Sequence, residues 1–290
     1  MIKHLCRFIL RVLNLSGWII DSFRWKTYRA FPSLKGRIKS DKRITIGITT
    51  FLNRFEQFFK PLINKLMFLL PGSRIIVMAN GSVLKEEQRE YLLRLKDFCS
   101  HFANIELMVY EEPRGLSHLW NRIMRQAGSD SVLMLNDDIR LKTNFGKFID
   151  RSGILKEEIA TVNSSWSHFM ISQKIFRLVG EFDEELREVG GEDDDYLARL
   201  ALLGLRPVDY RSHAIARGRR KKKKNIPDLN SYGKDMTKEA YGYSSYNTDY
   251  LRNKWEISDD YFEGAVEVPR TRNRYWKLKE SSSQVKAADD

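Results

Sequence analysis

Strand-like and helix-like segments alternate four times in the first half of this chain. Short apolar and β-branched runs predict strands, and the amphipathic stretches between them predict helices. The predicted strands are Ile44–Thr50, Arg74–Met78, Ile105–Tyr110 and a run beginning at Ser131, and the predicted helices are Arg54–Leu70, Leu84–Phe102 and Leu116–Ala127. Strands that are joined by helices pair in parallel, so this alternation predicts an α/β fold with a doubly wound, mostly parallel sheet flanked by helices.

The fourth predicted strand is followed directly by acidic residues. Val132–Leu135 is a short apolar run, typical of a strand that is buried on both faces, and Asn136, Asp137 and Asp138 come next. In an open α/β sheet, ligands bind beyond the carboxyl ends of the strands. Adjacent carboxylates repel each other unless positive charge lies beside them, and a divalent cation that carries phosphate oxygens supplies that charge. The alternative is a polar strand end that caps the next turn.

A second acidic cluster lies further along the chain. Gly190 and Gly191 precede Glu192–Asp195, which opens a predicted helix, where backbone N–H groups favour carboxylates. One of these carboxylates could act as a general base while others bind substrate hydroxyls. His213 follows a predicted strand at Arg206–Tyr210, and a neutral imidazole there either completes a metal shell or is structural.

The charge balance points to an anionic partner. The formal net charge is +12, which suits nucleic acid, anionic lipid or a phosphorylated substrate. The run Arg217–Lys224 is either a solvated loop or a patch for lipid, phosphate or a diphosphate-linked acceptor. The two cysteines, Cys6 and Cys99, are far apart and imply neither a disulfide framework nor a zinc site.

The amino-terminal segment Met1–Arg29 is predicted to be a basic amphipathic helix. Its cations and tryptophans suit an in-plane membrane anchor, and the alternative is a helix docked on the protein's own core. No apolar run reaches the roughly 20 residues that a spanning helix needs.

Together these motifs resemble those of nucleotide-sugar glycosyltransferases with the GT-A fold, most closely the inverting enzymes of the large family-2 type. The resemblance rests on the four-strand opening, on LNDDI at Leu135–Ile139 and on GGEDDDYLARL at Gly190–Leu200. The GGEDDD string is also similar to the β-1,4-galactosyltransferase motif. The resemblance covers about Arg43 to His213, and it implies a catalytic domain over residues 41–215. Residues 1–40 would then be a helix with a linker, and residues 216–290 a basic and aromatic extension that is disordered from Ser281.

The resemblance also implies roles for individual residues. Asp138 and His213 would hold Mn²⁺ or Mg²⁺, and Asp193 would be the catalytic base. The implied donor-binding residues are Thr49, Asn53, Arg54, Asn80, Asn121, Asn136 and Asp137, and the implied acceptor-binding residues are Gly191, Glu192 and Asp194. The chain departs from the family pattern at Ala79, where the family often has a base-contacting Asp, and at Asn136, which replaces the first Asp of the usual motif.

The implied activity is transfer of a hexose from a nucleotide-diphosphate sugar to a saccharide or lipid-linked acceptor, in bacterial surface polysaccharide synthesis. The expected location is cytoplasmic, peripheral on the inner face of the cell membrane. A nucleotidyltransferase is one alternative, although Thr49–Arg54 is not the glycine-rich, basic loop that it needs after the first strand. A nucleic-acid-binding protein is the other, although the cations are not interleaved with aromatic residues as in a recognised module.

Overall fold

A computed structural model describes residues 17–30, 39–52, 54–82, 84–128, 131–187, 190–217 and 245–255. Several sequence predictions concern segments outside these described residues. They are the first half of the amino-terminal helix, most of the linker, Asn53, the basic run beyond Arg217 and the disordered end.

The described part of the chain holds helices and strands in the order that the sequence predicts, with additions. Its first half contains α1 (residues 17–30), β1 (Thr45–Thr50), a π-helical turn (Phe55–Phe59), α2 (Lys60–Leu69), β2 (Arg74–Ala79), α3 (Lys85–Ser100), β3 (Ile105–Val109), α4 (Leu116–Ala127) and β4 (Val132–Asn136). The rest contains β5 (Ile139–Leu141), α5 (Phe145–Arg151), a 3-10 turn (Ile154–Lys156), β6 (Ile159–Val162), β7 (Ser165–Ile171), α6 (Gln173–Val179), α7 (Glu192–Leu202), β8 (Val208–Tyr210), β9 (Ile215–Arg217) and α8 (Ser245–Trp255).

Seven strands form one sheet in the order β3-β2-β1-β4-β7-β6-β8. Strands β1 to β4 pair in parallel, whereas β7 runs antiparallel to both of its neighbours, β4 and β6. This arrangement confirms the predicted α/β fold with a mostly parallel sheet flanked by helices. Since β1 and β4 are neighbours and both point the same way, their carboxyl ends meet at one edge of the sheet. We call this edge, where Thr49 and Asn136 lie, the carboxyl edge.

Helices cover both faces of the sheet. Helices α2, α3 and α5 pack on one face with Ile46, Ile48 and Leu135, and α4, α6 and α7 pack on the other with Met134. A Cβ atom at position 47 would lie 2.5 Å from a methyl carbon of Ile123 on α4, so the glycine in β1 permits close helix packing.

Strands β5 and β9 form a separate antiparallel ribbon, which the sequence did not predict. Three-residue strands carry too little alternation to be recognised. The ribbon continues directly from the turn at Asp137 and Asp138, and it pairs Ile139 with Arg217 and Leu141 with Ile215.

Helix α1 is docked on the protein rather than separate from it. Oδ1 of Asp21 accepts hydrogen bonds from the backbone N–H and the hydroxyl of Thr143, at 2.7 and 2.6 Å. Trp25 of α1 packs edge-on against Phe68 of α2. One side of α1 therefore contacts the rest of the protein, and the in-plane membrane anchor stays a prediction. Among the described helices, none combines the length and the apolar character that crossing a bilayer requires.

Candidate functional site at the carboxyl edge

The ends of β1 and β4 bring two predicted donor-binding residues together. Thr49 and Asn136 are register partners, and the Thr49 hydroxyl donates to Oδ1 of Asn136 at 3.4 Å. Because strand residues alternate between faces, both side chains lie on the face that α4 and α7 cover. The hydroxyl and the amide thus form a polar pair at the carboxyl edge.

The next residue of each strand lies on the opposite face, where it joins Arg54. Nη2 of Arg54 lies 2.6 Å from Oδ1 of Asp137 and 3.5 Å from Oδ2 of Asp138. The Thr50 hydroxyl donates to the other oxygen of Asp137 at 2.8 Å and also lies 2.6 Å from the Tyr91 hydroxyl. All five side chains are buried. We call Asp137 and Asp138 the acidic pair.

The guanidinium of Arg54 therefore interacts with both buried carboxylates. Burial raises the pKa of Asp137 to about 6, although the charge of Arg54 opposes the shift. Burial also tends to lower the pKa of Arg54, but Asp137 and Asp138 outweigh it, so the pKa of Arg54 is raised. The sequence predicted a divalent cation beside Asp137 and Asp138. In the structure, the cationic group beside them is the guanidinium of Arg54. The predicted donor contacts of Arg54 and Asp137 stay predictions, because both side chains are bonded within the protein.

Asn80 and Asn121 are fully buried and hold loops in place. The Asn80 amide donates to the carbonyl of Arg114 at 2.8 Å, and its oxygen accepts from the backbone N–H of Arg114 at 3.0 Å. Asn121 makes the same two kinds of bond to the backbone of Phe182, each at 2.8 Å. These contacts indicate a structural role, and the predicted donor contacts of the two asparagines stay predictions.

The second acidic cluster forms the first turn of α7, as the sequence predicts. Gly190 and Gly191 precede it with φ angles of 123° and 90°, a backbone region that favours glycine. Both oxygens of Glu192 accept from the backbone N–H of Gly190 at 2.9 Å. Burial raises the pKa of Glu192 to about 8, so its carboxyl is largely neutral at pH 7.

Asp193 and Asp194 differ from their acidic neighbours in burial. Glu192 and Asp195 are buried, whereas Asp193 and Asp194 are partly exposed. Asp195 is paired with Arg199, whose Nε lies 2.9 Å from Oδ2. The two partly exposed carboxylates are therefore the ones in this turn that an added molecule reaches most readily.

Strand β7 links this turn to the carboxyl edge. Leu135 pairs with His168, so the start of β7 runs past the point where β4 ends. Trp166, near that start, packs edge-on against Tyr196 with ring centroids 6.1 Å apart. Tyr196 follows Asp193 by three residues on α7. The two acidic clusters therefore border the same edge of the sheet.

Helix α8 completes this region, and the sequence reasoning missed it. Asn247 donates to the carbonyl of Gly190 at 2.8 Å, and Nζ of Lys254 lies 2.7 Å from Oδ1 of Asp195. The Trp255 indole N–H donates to the same oxygen at 3.1 Å. The sequence does carry residues at helical spacing, which are Asn247, Leu251, Lys254 and Trp255. Two of these four are polar, so the apolar periodicity that predicts a helix is not visible.

His213 lies in the bend just before strand β9. The register places Leu141 opposite Ile215, so His213 follows the end of the ribbon that is farther from Asp138. The predicted pairing of His213 with Asp138 at one metal ion stays a prediction. Arg217 of β9 pairs with Ile139, so the backbone of Arg217 lies beside the acidic pair.

The resemblance implied Asp138 and His213 as the residues that would hold a divalent cation. Among the residues that the structure describes, no group of three or more His, Cys, Asp or Glu side chains is arranged to hold a metal ion. Arg54 offsets one of the two carboxylate charges of Asp137 and Asp138. A metal site built on Asp138 and His213 stays a prediction.

No family model and no curated protein matches this chain. Among solved structures, it is similar to S. aureus TarS residues 1–349 in complex with UDP, at 14% identity and a TM-score of 0.42, covering 55% of each chain. It is also similar to the mannosyltransferase PcManGT from Pyrobaculum calidifontis in complex with GDP-Man and Mn²⁺, at 14% identity and a TM-score of 0.48, covering 62% of this chain and 58% of that one. A putative glucose-1-phosphate thymidylyltransferase from Bacillus anthracis matches at 10% identity and a TM-score of 0.41, covering 59% of this chain and 87% of that one. The chain thus spans little more than half the length of the TarS and PcManGT chains.

Proposed function

We propose that this protein is a glycosyltransferase of the GT-A type that transfers a hexose from a nucleotide-diphosphate sugar with inversion. The observation that supports it is that both acidic clusters border the carboxyl edge. The polar pair Thr49 and Asn136 lies between parallel strands there, and β7 brings the first turn of α7 to the same edge. Ligands of open α/β sheets bind at such an edge.

In this proposal Asp193 is the general base. The acceptor hydroxyl oxygen forms a bond to the anomeric carbon while the bond from that carbon to the diphosphate oxygen breaks. The hydroxyl proton goes to the Asp193 carboxylate, and the electron pair leaves with the nucleoside diphosphate. A single displacement of this kind inverts the anomeric configuration. Asp194 is the neighbouring carboxylate that accepts a hydrogen bond from another acceptor hydroxyl.

Glu192 and Gly191 support this turn. The bonds between Glu192 and the N–H of Gly190 hold the backbone before α7, and Gly191 adopts the left-handed conformation that starts the helix. The charge of the departing diphosphate needs a positive partner. The sequence predicted Mn²⁺ or Mg²⁺ for this task, and Asp138 with His213 are the residues that would hold the ion.

The proposed acceptor is a saccharide or a lipid-linked saccharide at the inner face of the cell membrane. Two features of the chain support it. The net charge of +12 favours an anionic surface, and the run of cations that starts at Arg217 begins where β9 reaches the acidic pair.

A screen of nucleotide sugars tests the function. We expect at least one donor to raise the thermal unfolding temperature of the full chain and to be consumed with release of a nucleoside diphosphate. Release of pyrophosphate from a nucleoside triphosphate and a sugar phosphate would instead identify a nucleotidyltransferase. A salt-sensitive shift of nucleic acid, without any sugar transfer, would identify a nucleic-acid-binding protein.

A further inference from the structure

Helix α1 has two opposite faces, and only one of them is docked. At about 100° per residue, Asp21, Trp25 and Tyr28 lie on one side of the helix. Oδ2 of Asp21 pairs with Nζ of Lys65 at 3.2 Å, and that same Nζ lies 4.3 Å from the centre of the Trp25 ring. The carboxylate, the cation and the ring together fix this side to α2.

The other side of α1 carries three large apolar side chains that are exposed. Ile19 is 65% exposed, Ile20 52% and Phe23 77%. On a helix these three positions fall within an arc of about 100°, opposite to the docked side. They form one continuous apolar strip, which we call the α1 strip. An exposed apolar surface of this kind marks an interaction site.

Cations border the α1 strip on both sides. Arg24 follows it on one flank and Lys26 on the other, and both are exposed. A strip of Ile and Phe between basic residues is the pattern of a helix that lies in the headgroup region of an anionic bilayer. A protein partner that covered the α1 strip would need an apolar groove with acidic side chains on both sides. A bilayer with anionic headgroups supplies both the apolar contact and the negative charge.

We infer that the α1 strip binds an anionic membrane surface. The opposite side of α1, which contacts the protein, then holds the carboxyl edge at a fixed distance from the bilayer. The link is the β5–β9 ribbon, which begins directly after Asp138. Arg140 and Lys142 of β5 lie 4.6 and 4.8 Å from the centre of the Trp18 ring of α1, and Thr143 is bonded to Asp21. The helix therefore connects the bilayer to the strand that leaves the acidic pair.

This inference goes beyond the proposed function, and its readout is binding rather than transfer. The full chain is floated with vesicles of equal parts phosphatidylglycerol and phosphatidylcholine, and with vesicles of phosphatidylcholine alone. We expect binding to the anionic vesicles, weaker binding to the neutral ones, and a loss of about tenfold or more in the partition coefficient for the triple variant Ile19→Ser, Ile20→Ser, Phe23→Ser.

A matched variant controls for the loss of exposed apolar side chains as such. Leu93, Leu178 and Leu203 are 60%, 56% and 49% exposed and lie on other elements. Replacing these three with Ser should leave vesicle binding unchanged. Because all six positions are exposed, both triple variants should keep the wild-type unfolding temperature.

Three results would overturn the inference. The first is an α1-strip variant that floats with anionic vesicles as well as the wild-type chain. The second is a wild-type chain that binds neither kind of vesicle. The third is a dimer that does not bind vesicles and becomes a monomer in the α1-strip variant, because the strip would then be a contact between two copies of this chain. None of these results bears on sugar transfer, so the proposed function is judged separately.

Discussion

Arg54 is the residue on which the charge balance of the carboxyl edge depends. Its guanidinium is 2.6 Å from Asp137 and 3.5 Å from Asp138, and all three side chains are nearly inaccessible to solvent. Sequence reasoning found these residues through motif order. It could not find that Arg54 bridges the two carboxylates, because that contact depends on the turn that carries the chain back after β1.

Removing this cation should destabilise the fold strongly. Arg54→Met leaves two buried carboxylates without their guanidinium, and we expect a loss of about 3–5 kcal/mol in the free energy of unfolding, measured with urea. Adding Asp137→Asn to the same chain should recover part of the loss. Arg94→Met is the matched control, since its ion pair with Glu56 is exposed and should contribute less than about 1 kcal/mol. Equal losses for Arg54→Met and Arg94→Met would contradict the account.

Glu192 should make stability depend on pH in a known direction. Its carboxyl ionises near its ordinary pKa of 4.5 in the unfolded chain, whereas burial raises the pKa to about 8 in the folded chain. Between these two values the folded chain holds a proton that the unfolded chain has released, so this contribution to stability is complete below the lower value and falls as pH rises towards 8.

The variant Glu192→Gln tests this direction. The amide cannot ionise but can still accept from the backbone of Gly190, so the free energy of unfolding should fall less steeply with pH than in the wild type. The difference in slope should approach at most about 1.4 kcal/mol per pH unit. Urea unfolding at several pH values between 5 and 8 measures it. Parallel curves for the two proteins would show that Glu192 titrates normally.

At the scale of elements, the four strand–helix repeats were predictable, whereas the β5–β9 ribbon and α8 were not. Runs such as Val132–Leu135 are long enough for their pattern to be seen, and the three parallel pairings of these strands follow from the helices between them. Strands β5 and β9 have three residues each, and α8 buries polar groups against an acidic turn. Neither kind of element leaves a clear hydrophobic period.

Helix α8 is expected to keep the first turn of α7 in position. Lys254→Met removes a cation that lies between Asp183 and the buried Asp195. We expect kcat to fall about tenfold or more with donor affinity nearly unchanged, because the Asp193 turn shifts while the Thr49 and Asn136 pair stays in place. Steady-state kinetics with donor titration separates the two effects.

The control for this prediction is Lys174→Met. Lys174 forms an exposed ion pair with Glu158 at 3.1 Å, and its loss should leave kcat unchanged. A Lys254→Met protein with wild-type kcat would show that α8 does not position the acidic turn.

At the scale of the whole molecule, the sheet brings together segments that are more than fifty residues apart in sequence. Strand β7 connects them, because it pairs with β4 and also carries Trp166 against Tyr196. Because β7 runs antiparallel to β4, its first residues lie at the carboxyl edge. Motif order predicted that the two acidic clusters belong to one site, but only the register shows that β7 starts beside the end of β4.

The most direct test of the central claim compares sugar transfer and donor binding in Asp193→Asn. The substitution keeps the size of the side chain and removes its ability to take a proton. We predict that turnover with the donor identified in the screen falls by roughly 100-fold or more while the dissociation constant of that donor stays within about twofold of the wild type. Wild-type turnover in Asp193→Asn would contradict the assignment of the catalytic base and, with it, the proposed use of the carboxyl edge.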